Sequence, residues 1–348
     1  MKWLNNQIPS PDQRYLLAAV TRQQQLTKPA GSLGKLENLA VKLASLQSQA
    51  CPSVDKAWIS IFAADHGIAN AGVSAFPQAV TAEMVKNFVN GGAAISVLAK
   101  QNKAHLEIID VGVASSLDDL AIIHHKVALG TANFIQQAAM TEAQLSQALL
   151  AGKEAVTRAL QHKSNLFIAG EMGIANTSSA TAIACHLLKL NAPKLTGAGT
   201  GTGLNNEKIR EKALIIQQAL LRFSDIEATP LNALQYFGGF EIAALVGSYL
   251  AAAQNNLVIL VDGFICTIAA LVATKINPDL KPWLIYSHQS QEQGHKIILD
   301  ELKAEPLLNL GMRLGEASGA TVALPLLNSA CLLHQQMATF EQAEVSQI

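Results

Sequence analysis

Five short apolar runs, each followed by polar residues beside glycine or serine, constrain the fold of this chain most strongly. The runs are rich in β-branched residues and lack clean alternation, so they predict strands buried on both faces of a parallel sheet. Ligands bind beyond the carboxyl ends of such strands. Small and acidic residues also begin turns and cap helices, but five repeats favour a site. The runs are residues 58–62 before Asp65, His66 and Gly67, 106–109 before Asp110, 166–168 before Gly170 and Glu171, 257–261 before Asp262 and Gly263, and 283–286 before Ser287 and His288.

Helical patterns alternate with these runs, which predicts an α/β fold with helices on both faces of the sheet. Thr177, Ser178 and Ser179 are expected to cap one helix, and Pro230 to open another. The predicted helices are 78–99, 142–161, 177–189, 205–222, 239–253 and 264–275.

Both ends of the chain differ from this pattern. Helical periodicity covers residues 15–25 and 36–49 around a glycine-containing turn at 28–34, and it returns at 323–343. We therefore expect a smaller helical part built from the two chain ends.

The composition is that of a soluble enzyme. The 348 residues are 50% hydrophobic and 15% charged, with a formal net charge of −1, so no basic surface for nucleic acid or membranes is expected. The longest apolar stretch, 257–273, is interrupted by Asp262 and Gly263, so it is predicted to be a strand followed by a buried helix rather than a membrane span. Four scattered cysteines and an N-terminus without an apolar signal core favour a reducing, cytoplasmic location.

Two glycine-containing segments are candidates for binding phosphate. In residues 170–178 a predicted strand ends in a glycine turn before a hydroxyl-rich helix start, where free N–H groups and the helix dipole attract anions. Residues 197–203 contain four glycines but lack the Gly-Lys-Ser/Thr of a P-loop and follow no clear strand. We expect this second segment to form another wall of the same anion site, and the alternative is a flexible surface loop.

Glu316 is a candidate proton acceptor, because glycine and small apolar residues surround it in 313–320. If a neighbouring wall encloses this carboxylate, burial should raise its pKa and make it a better base. The alternative is an exposed glutamate in a turn.

Histidines could also suggest a metal site or a nucleophilic triad. Neither a His-x-x-x-His pair nor a Gly-x-Ser-x-Gly elbow is present, so no metal is expected. The adjacent His124 and His125 lie in a short strand or loop and are expected to be structural.

Taken together, these segments resemble the nicotinate-nucleotide–dimethylbenzimidazole phosphoribosyltransferase family, and the resemblance covers nearly the whole chain. It implies a Rossmann-like domain at 51–300, a small helical domain from 1–50 and 301–348, and a homodimer. The segments that carry it are 27–34, 64–67, 170–173, 238–241, 261–264, 287–288 and 312–316.

The resemblance implies transfer of phosphoribose from nicotinate mononucleotide to 5,6-dimethylbenzimidazole or a related base, within cobalamin nucleotide-loop assembly. Only small-molecule substrates and no cofactor or metal are then expected. Glu316 corresponds to the family's proton acceptor, and Glu171 is a second candidate catalytic group.

The resemblance also assigns binding residues. Phe76, Met84 and Leu314 are expected to form the slot for the base. Residues expected to contact phosphate or ribose are Gly173, Ile174, Asn176, Thr177, Gly199, Thr200, Gly201, Lys212 and Asp262.

Two other function classes stay open on the residues alone. A non-catalytic nucleotide-binding or sensor protein would need the phosphate site but no buried carboxylate. A metal-dependent hydrolase would use Asp65, His66 and His288.

Overall fold

The computed structural model describes residues 1–199 and 205–346, and it contains one six-stranded, entirely parallel sheet. The strand order is β3-β2-β1-β4-β5-β6. Strands β2 and β3 extend the sheet on one side of β1, and strands β4 to β6 extend it on the other, so the strand order reverses between β1 and β4. This reversal opens a crevice at the carboxyl edge. The strands are β1 (Ala57–Ala64), β2 (His105–Gly112), β3 (Ile123–His124), β4 (Leu166–Met172), β5 (Val258–Val261) and β6 (Leu284–Tyr286).

All five predicted strands are confirmed, and their burial explains the absence of alternation. Every residue of β1 is buried, and so is every residue of β5 and β6. Side chains on both faces of these strands therefore pack against helices. The sixth strand, β3, is a two-residue edge strand that contains His124.

The helices cover both faces of the sheet. On one face α10 packs against β1, β4 and β2, with α5 behind it; on the other lie α2, α3, α4 and α13. The helices are α1 (Gln13–Gln25), α2 (Lys35–Gln47), α3 (Val80–Val89), α4 (Ala94–Gln101), α5 (Glu142–Gln161), α6 (Asn176–Leu188), α7 (Ala192–Leu195), α8 (Asn206–Arg222), α9 (Pro230–Phe237), α10 (Phe240–Gln254), α11 (Phe264–Ile276), α12 (His295–Leu302) and α13 (Ser318–Gln336). Among the described residues no helix is both long enough and apolar enough to cross a bilayer.

Two predictions about helices were wrong in detail. The single helix expected at 78–99 is divided into α3 and α4, because Gly91 adopts a left-handed conformation with φ 78°. Pro230 opens α9 as predicted, but the hydroxyls expected to cap α6 lie inside its first turn. The N-cap residue of α6 is Ala175, whose φ is 75° and whose side chain makes no capping hydrogen bond.

The two chain ends meet, as the sequence predicted. Helix α13 packs on α2, and Leu26 forms an antiparallel bridge with Thr339. Arg22 donates hydrogen bonds to the carbonyls of His334 and Gln335 at the end of α13. Helix α13 ends at Gln336 rather than 343, because the residues after it pair with the N-terminal segment.

Candidate active site

A cavity of about 350 Å³ opens at the carboxyl ends of β4, β5 and β6. Each of these strands delivers one polar side chain to it: Glu171 ends β4, Asp262 follows β5, and His288 follows β6. The predicted residues that line it are Phe76, Met84, Glu171, Gly173, Ile174, Asn176, Thr177, Asp262, Leu314 and Glu316.

The two remaining predicted residues that the structure describes lie beside this cavity. Lys212 and Gly199 line an adjoining cavity of about 40 Å³, which shares the 173–177 turn with the larger one. Thr200 and Gly201 lie outside the described residues. Ala198 and Gly199 of the second glycine-containing segment therefore lie beside the 173–177 turn of the first.

Glu316 is buried, with 6% of its surface exposed, and its Oε2 atom has no hydrogen-bond partner within the described part of the chain. Burial and, to a smaller extent, the negative charge of Asp262 raise the pKa of this carboxyl to about 7, while the Ile95 N–H opposes the shift. A carboxyl with a pKa near neutrality can accept a proton and release it again.

Glycines allow the Glu316 segment to approach the sheet. A Cβ on Gly315 would lie 2.6 Å from Glu171 Oε1, and a Cβ on Gly170 in β4 would lie 2.6 Å from the nitrogen of Ala317. Any larger residue at either position would push Glu316 away from the strand ends.

Glu171 is fully enclosed and accepts a hydrogen bond from Asn176 Nδ2. Burial raises its pKa well above the ordinary value, and the charges of Glu241 and Asp262 add to this shift, whereas the Asn176 hydrogen bond opposes it. This shift favours the protonated carboxylic acid, which can donate as well as accept a hydrogen bond.

Asp262 is also buried, but its carboxylate is well supplied with donors. Its Oδ1 accepts a hydrogen bond from the Ala320 nitrogen at 2.8 Å, and His288 Nδ1 lies 3.9 Å away. Burial raises the pKa of Asp262, while His288 and the backbone donors lower it.

Lys212 supplies a buried cation beside the 173–177 turn. Its Nζ donates hydrogen bonds to Thr177 Oγ1 at 2.8 Å and to the Gly197 carbonyl at 3.4 Å. Burial lowers the pKa of this ammonium to about 8, and the Glu292 carboxylate opposes the shift. Lys212, the Thr177 hydroxyl and the N-terminus of α6 together form an anion-attracting corner.

Sequence reasoning missed Glu292 and Arg313 as neighbours of this corner. Burial raises the pKa of Glu292, and Lys212 opposes that shift. Arg313 donates a hydrogen bond to the Gly199 carbonyl at 3.0 Å. Glu292 follows β6 at the sheet edge where candidates were expected, so its position after a buried strand was an available signal.

Two of the three residues considered for a metal site, Asp65 and His66, are engaged away from the cavity, whereas His288 lines it. His66 forms a buried 2.6 Å pair with Glu241 and hydrogen bonds to Ser179 at 3.0 Å. Asp65 accepts a hydrogen bond from the Ala114 nitrogen. Within residues 1–199 and 205–346, no three His, Cys, Asp or Glu side chains gather in a way that could hold a metal ion.

Fold and crevice together define the class of protein: an α/β enzyme with its site at the carboxyl edge of a parallel sheet, where an anion-attracting corner adjoins a buried carboxyl. A family model described as phosphoribosyltransferase matches residues 8–345.

Similar proteins narrow this class. The nicotinate-nucleotide–dimethylbenzimidazole phosphoribosyltransferase of Pseudomonas fluorescens (strain SBW25) is 54% identical over 345 residues, covering 99% of this chain and 98% of its own. The Xanthomonas oryzae pv. oryzae (strain PXO99A) protein of the same name is 52% identical over the same shares. The crystal structure of the Thermus thermophilus enzyme of this name has a TM-score of 0.91 at 40% identity, covering 97% of this chain and 100% of that one. This chain belongs to the nicotinate-nucleotide–dimethylbenzimidazole phosphoribosyltransferase family.

Proposed function

We propose that this protein transfers phosphoribose from nicotinate mononucleotide to 5,6-dimethylbenzimidazole or a related base, giving α-ribazole 5′-phosphate and nicotinate. The reaction would serve the nucleotide-loop assembly of cobalamin. One observation carries the chemical part of the proposal: the buried Glu316 carboxyl has an oxygen without a partner among the described residues, has a pKa of about 7, and lines the same cavity as Thr177. The names of the relatives support the choice of substrates.

The phosphate of the mononucleotide would bind in the corner formed by Lys212, Thr177 and the start of α6. A protonated Lys212 already donates to Thr177 Oγ1, so the hydroxyl proton of Thr177 is free to point toward a ligand oxygen. The adjoining 173–176 turn would line the phosphate and ribose. Gly199 borders the same corner, and Thr200 and Gly201 are proposed to complete it.

The acceptor base would occupy the apolar side of the cavity. Phe76 and Leu314 are 45% and 43% exposed at its mouth, and Met84 is half-buried beside them. These side chains can cover the faces of a flat heterocycle, while Glu316 faces its N–H group. An aromatic ring at Phe76 favours stacking on the base.

The chemical step follows from these positions. One ring nitrogen of the base attacks C1′ of the ribose from the face opposite nicotinate, so the configuration inverts from β to α. The bond between C1′ and the pyridinium nitrogen breaks, and its electron pair neutralises the departing nicotinate. The other ring nitrogen loses its proton to Glu316. Most of the rate would come from aligning the two rings in a site with little water.

Glu171 and Asp262 would act on the ribose side. The raised pKa of Glu171 favours its protonated form, which suits hydrogen bonds to ribose hydroxyls better than stabilisation of positive charge at C1′. Asp262, with three backbone donors favouring its ionised form, is the better placed of the two to stabilise positive charge.

The proposal extends to the state of the protein. We propose a cytoplasmic homodimer that uses only small-molecule substrates and no cofactor, with domains at 51–300 and at 1–50 with 301–348. Light scattering on the purified full chain tests the dimer, and a mass of about one chain would contradict it.

Product analysis tests the function directly. The protein is incubated with nicotinate mononucleotide and a panel of benzimidazoles, purines and phenols, with and without excess chelator, and the products are identified by mass and by comparison with α- and β-anomer standards. We expect an α-ribotide and one equivalent of nicotinate, unaffected by chelator. Binding of the mononucleotide without product from any base would support a sensor protein, and loss of turnover in chelator would support a metal-dependent enzyme.

A further inference from the structure

The turn that carries Glu316 has an unusual backbone. Gly315, Glu316 and Ala317 all have positive φ angles, of 88°, 60° and 58°. Residues other than glycine rarely adopt this conformation, and two in succession persist only where the surroundings hold them. The turn leads directly into α13, whose N-cap residue Ala317 makes no side-chain capping bond.

Asp262 supplies the missing cap from a different strand. Its Oδ1 accepts the N–H of Ala320, the third residue of α13, although the two residues are 58 positions apart. The N–H groups of Gly319 and Gly263 also lower the pKa of this carboxylate. The first turn of a helix has N–H groups without intrahelical partners, and an acidic group there satisfies them and favours the helix dipole. Asp262 therefore caps α13 across the sheet.

Two other contacts fix the same helix end. A Cβ on Gly319 would clash with the His288 ring at Nδ1, so α13 packs directly on the residues after β6. On the β4 side Gly170 leaves room for Ala317. The start of α13 thus lies against β4 and the segments that follow β5 and β6, and among the described residues Asp262 is the side chain that accepts one of its N–H groups.

We infer that Asp262 is a positioning residue, which holds Glu316 toward the base by capping α13. The inference rests on the proposed role of Glu316 as proton acceptor. It assigns Asp262 a task beyond ribose contact, since its Oδ1 already accepts the Ala320 N–H. Loss of the cap should let the left-handed turn relax and withdraw the Glu316 carboxyl from the acceptor nitrogen.

The test compares Asp262→Ala and Asp262→Asn with the wild type in steady-state kinetics on the full-length protein. For Asp262→Ala we expect kcat to fall about 10- to 100-fold, the usual cost of moving a catalytic group by about an ångström, with the KM for nicotinate mononucleotide nearly unchanged. Asparagine keeps one acceptor oxygen for Ala320 and should recover most of kcat. Thr141→Ala, which removes the side-chain N-cap of α5, is the matched control and should leave kcat unchanged.

The pH profile adds a measurement that a purely structural role would not move. The titratable groups around Glu316 are Asp262, Glu171 and, beyond Asp262, His288. Replacing Asp262 by asparagine removes the negative charge that raises the pKa of Glu316. The acidic limb of the kcat profile should therefore move to lower pH in Asp262→Asn.

Glu316→Gln in the same assay separates the inference from the proposed function. Full activity of Glu316→Gln would refute the role of Glu316 itself. If Glu316→Gln is inactive, a folded Asp262→Ala with wild-type kcat overturns the inference, and so does a raised KM at normal kcat, which indicates ribose contact. Should Asp262→Ala fail to fold, an acidic limb at the wild-type pH in Asp262→Asn overturns it.

Discussion

The side of the site proposed to bind phosphate and the side proposed to bind the base differ in how their charged groups are paired. On the phosphate side the Lys212 ammonium has two hydrogen-bond acceptors, and the Glu292 carboxylate lies near it. On the base side the Glu316 carboxyl has an unpartnered oxygen in the described structure, and its surroundings are half-exposed apolar side chains such as Phe76 and Leu314. One side is electrostatically balanced before any ligand arrives, and the other is not.

This difference separates binding from chemistry. A cation held by neighbours is ready to bind an anion equally well before and during the reaction, which lowers KM without raising kcat. A carboxyl kept short of partners gains most when it takes up a proton, and in the proposed reaction that proton comes from the acceptor base. We therefore expect changes on the phosphate side to alter affinity and changes at Glu316 to alter turnover.

Glu316→Gln should have the largest effect. Loss of a general base lowers the rate by about 10²- to 10⁴-fold, and the affinity for nicotinate mononucleotide should be retained because the phosphate side is intact. Single-turnover kinetics and calorimetric titration measure the two quantities. Glu305→Gln, an exposed partner of Lys35, is the control. A parallel loss of affinity would show that the two sides are not independent.

Lys212→Met should chiefly weaken binding. Hydrogen bonds to charged groups contribute about 1.5–3 kcal/mol, so the affinity for the mononucleotide should fall about ten- to hundredfold while kcat at saturation changes little. Lys208→Met removes an exposed lysine from the same helix and should leave affinity unchanged. A fall in kcat at unchanged affinity would show that Lys212 acts in the chemical step rather than in binding.

Burial of the Glu316 carboxyl should make the free energy of unfolding depend on pH. Its pKa of about 7 in the folded protein exceeds the ordinary 4.5, so stability is lost as pH rises from 4.5 to 7 and the unfolded chain ionises first. Allowing for solvent in the cavity, the loss is roughly 2 kcal/mol. Glu316→Gln should therefore unfold at higher denaturant than wild type at pH 8, and equally at pH 4. If Glu316→Gln and the wild type were equally stable at pH 8 as well as at pH 4, the raised pKa would be contradicted.

Phe76→Ala should have the smallest effect, because this ring is 45% exposed. An aromatic stacking contact is worth about 0.5–1.5 kcal/mol, so the KM for dimethylbenzimidazole should rise about two- to tenfold at an unchanged KM for the mononucleotide. Leu310→Ala, at an exposed position that does not line the cavity, is the control. An unchanged KM for the base would place the heterocycle away from Phe76.

Most of the sheet could be predicted because its strands are short apolar runs that end in polar residues. The division between α3 and α4 was missed, since the glycines at 91 and 92 are compatible with a helix until packing requires a turn. The start of α13 was placed at 323 instead of Ser318 for a similar reason. Gly319 is a weak helix former, and the helix begins there because Asp262 accepts the Ala320 N–H.

The same distinction applies to the site: its local features could be predicted from the sequence, and its contacts between distant segments could not. Local sequence placed Glu171 and Asp262 at strand ends and indicated an anion site near Thr177, because turns and strand ends are set by neighbours in the chain. It could not pair His66 with Glu241 or bring Glu292 near Lys212, since those groups come from segments far apart in sequence.

The sequence by itself determined the order of strands and helices, the family, and the residue types available at the carboxyl edge. Only the tertiary structure decided what those residues are chemically. The pKa of Glu316 depends on burial and on the charge of Asp262, and its position depends on a cap supplied from β5. Both effects arise from atoms brought within a few ångströms by folding, and electrostatic energy in a poorly hydrated site depends on those distances rather than on separation along the chain.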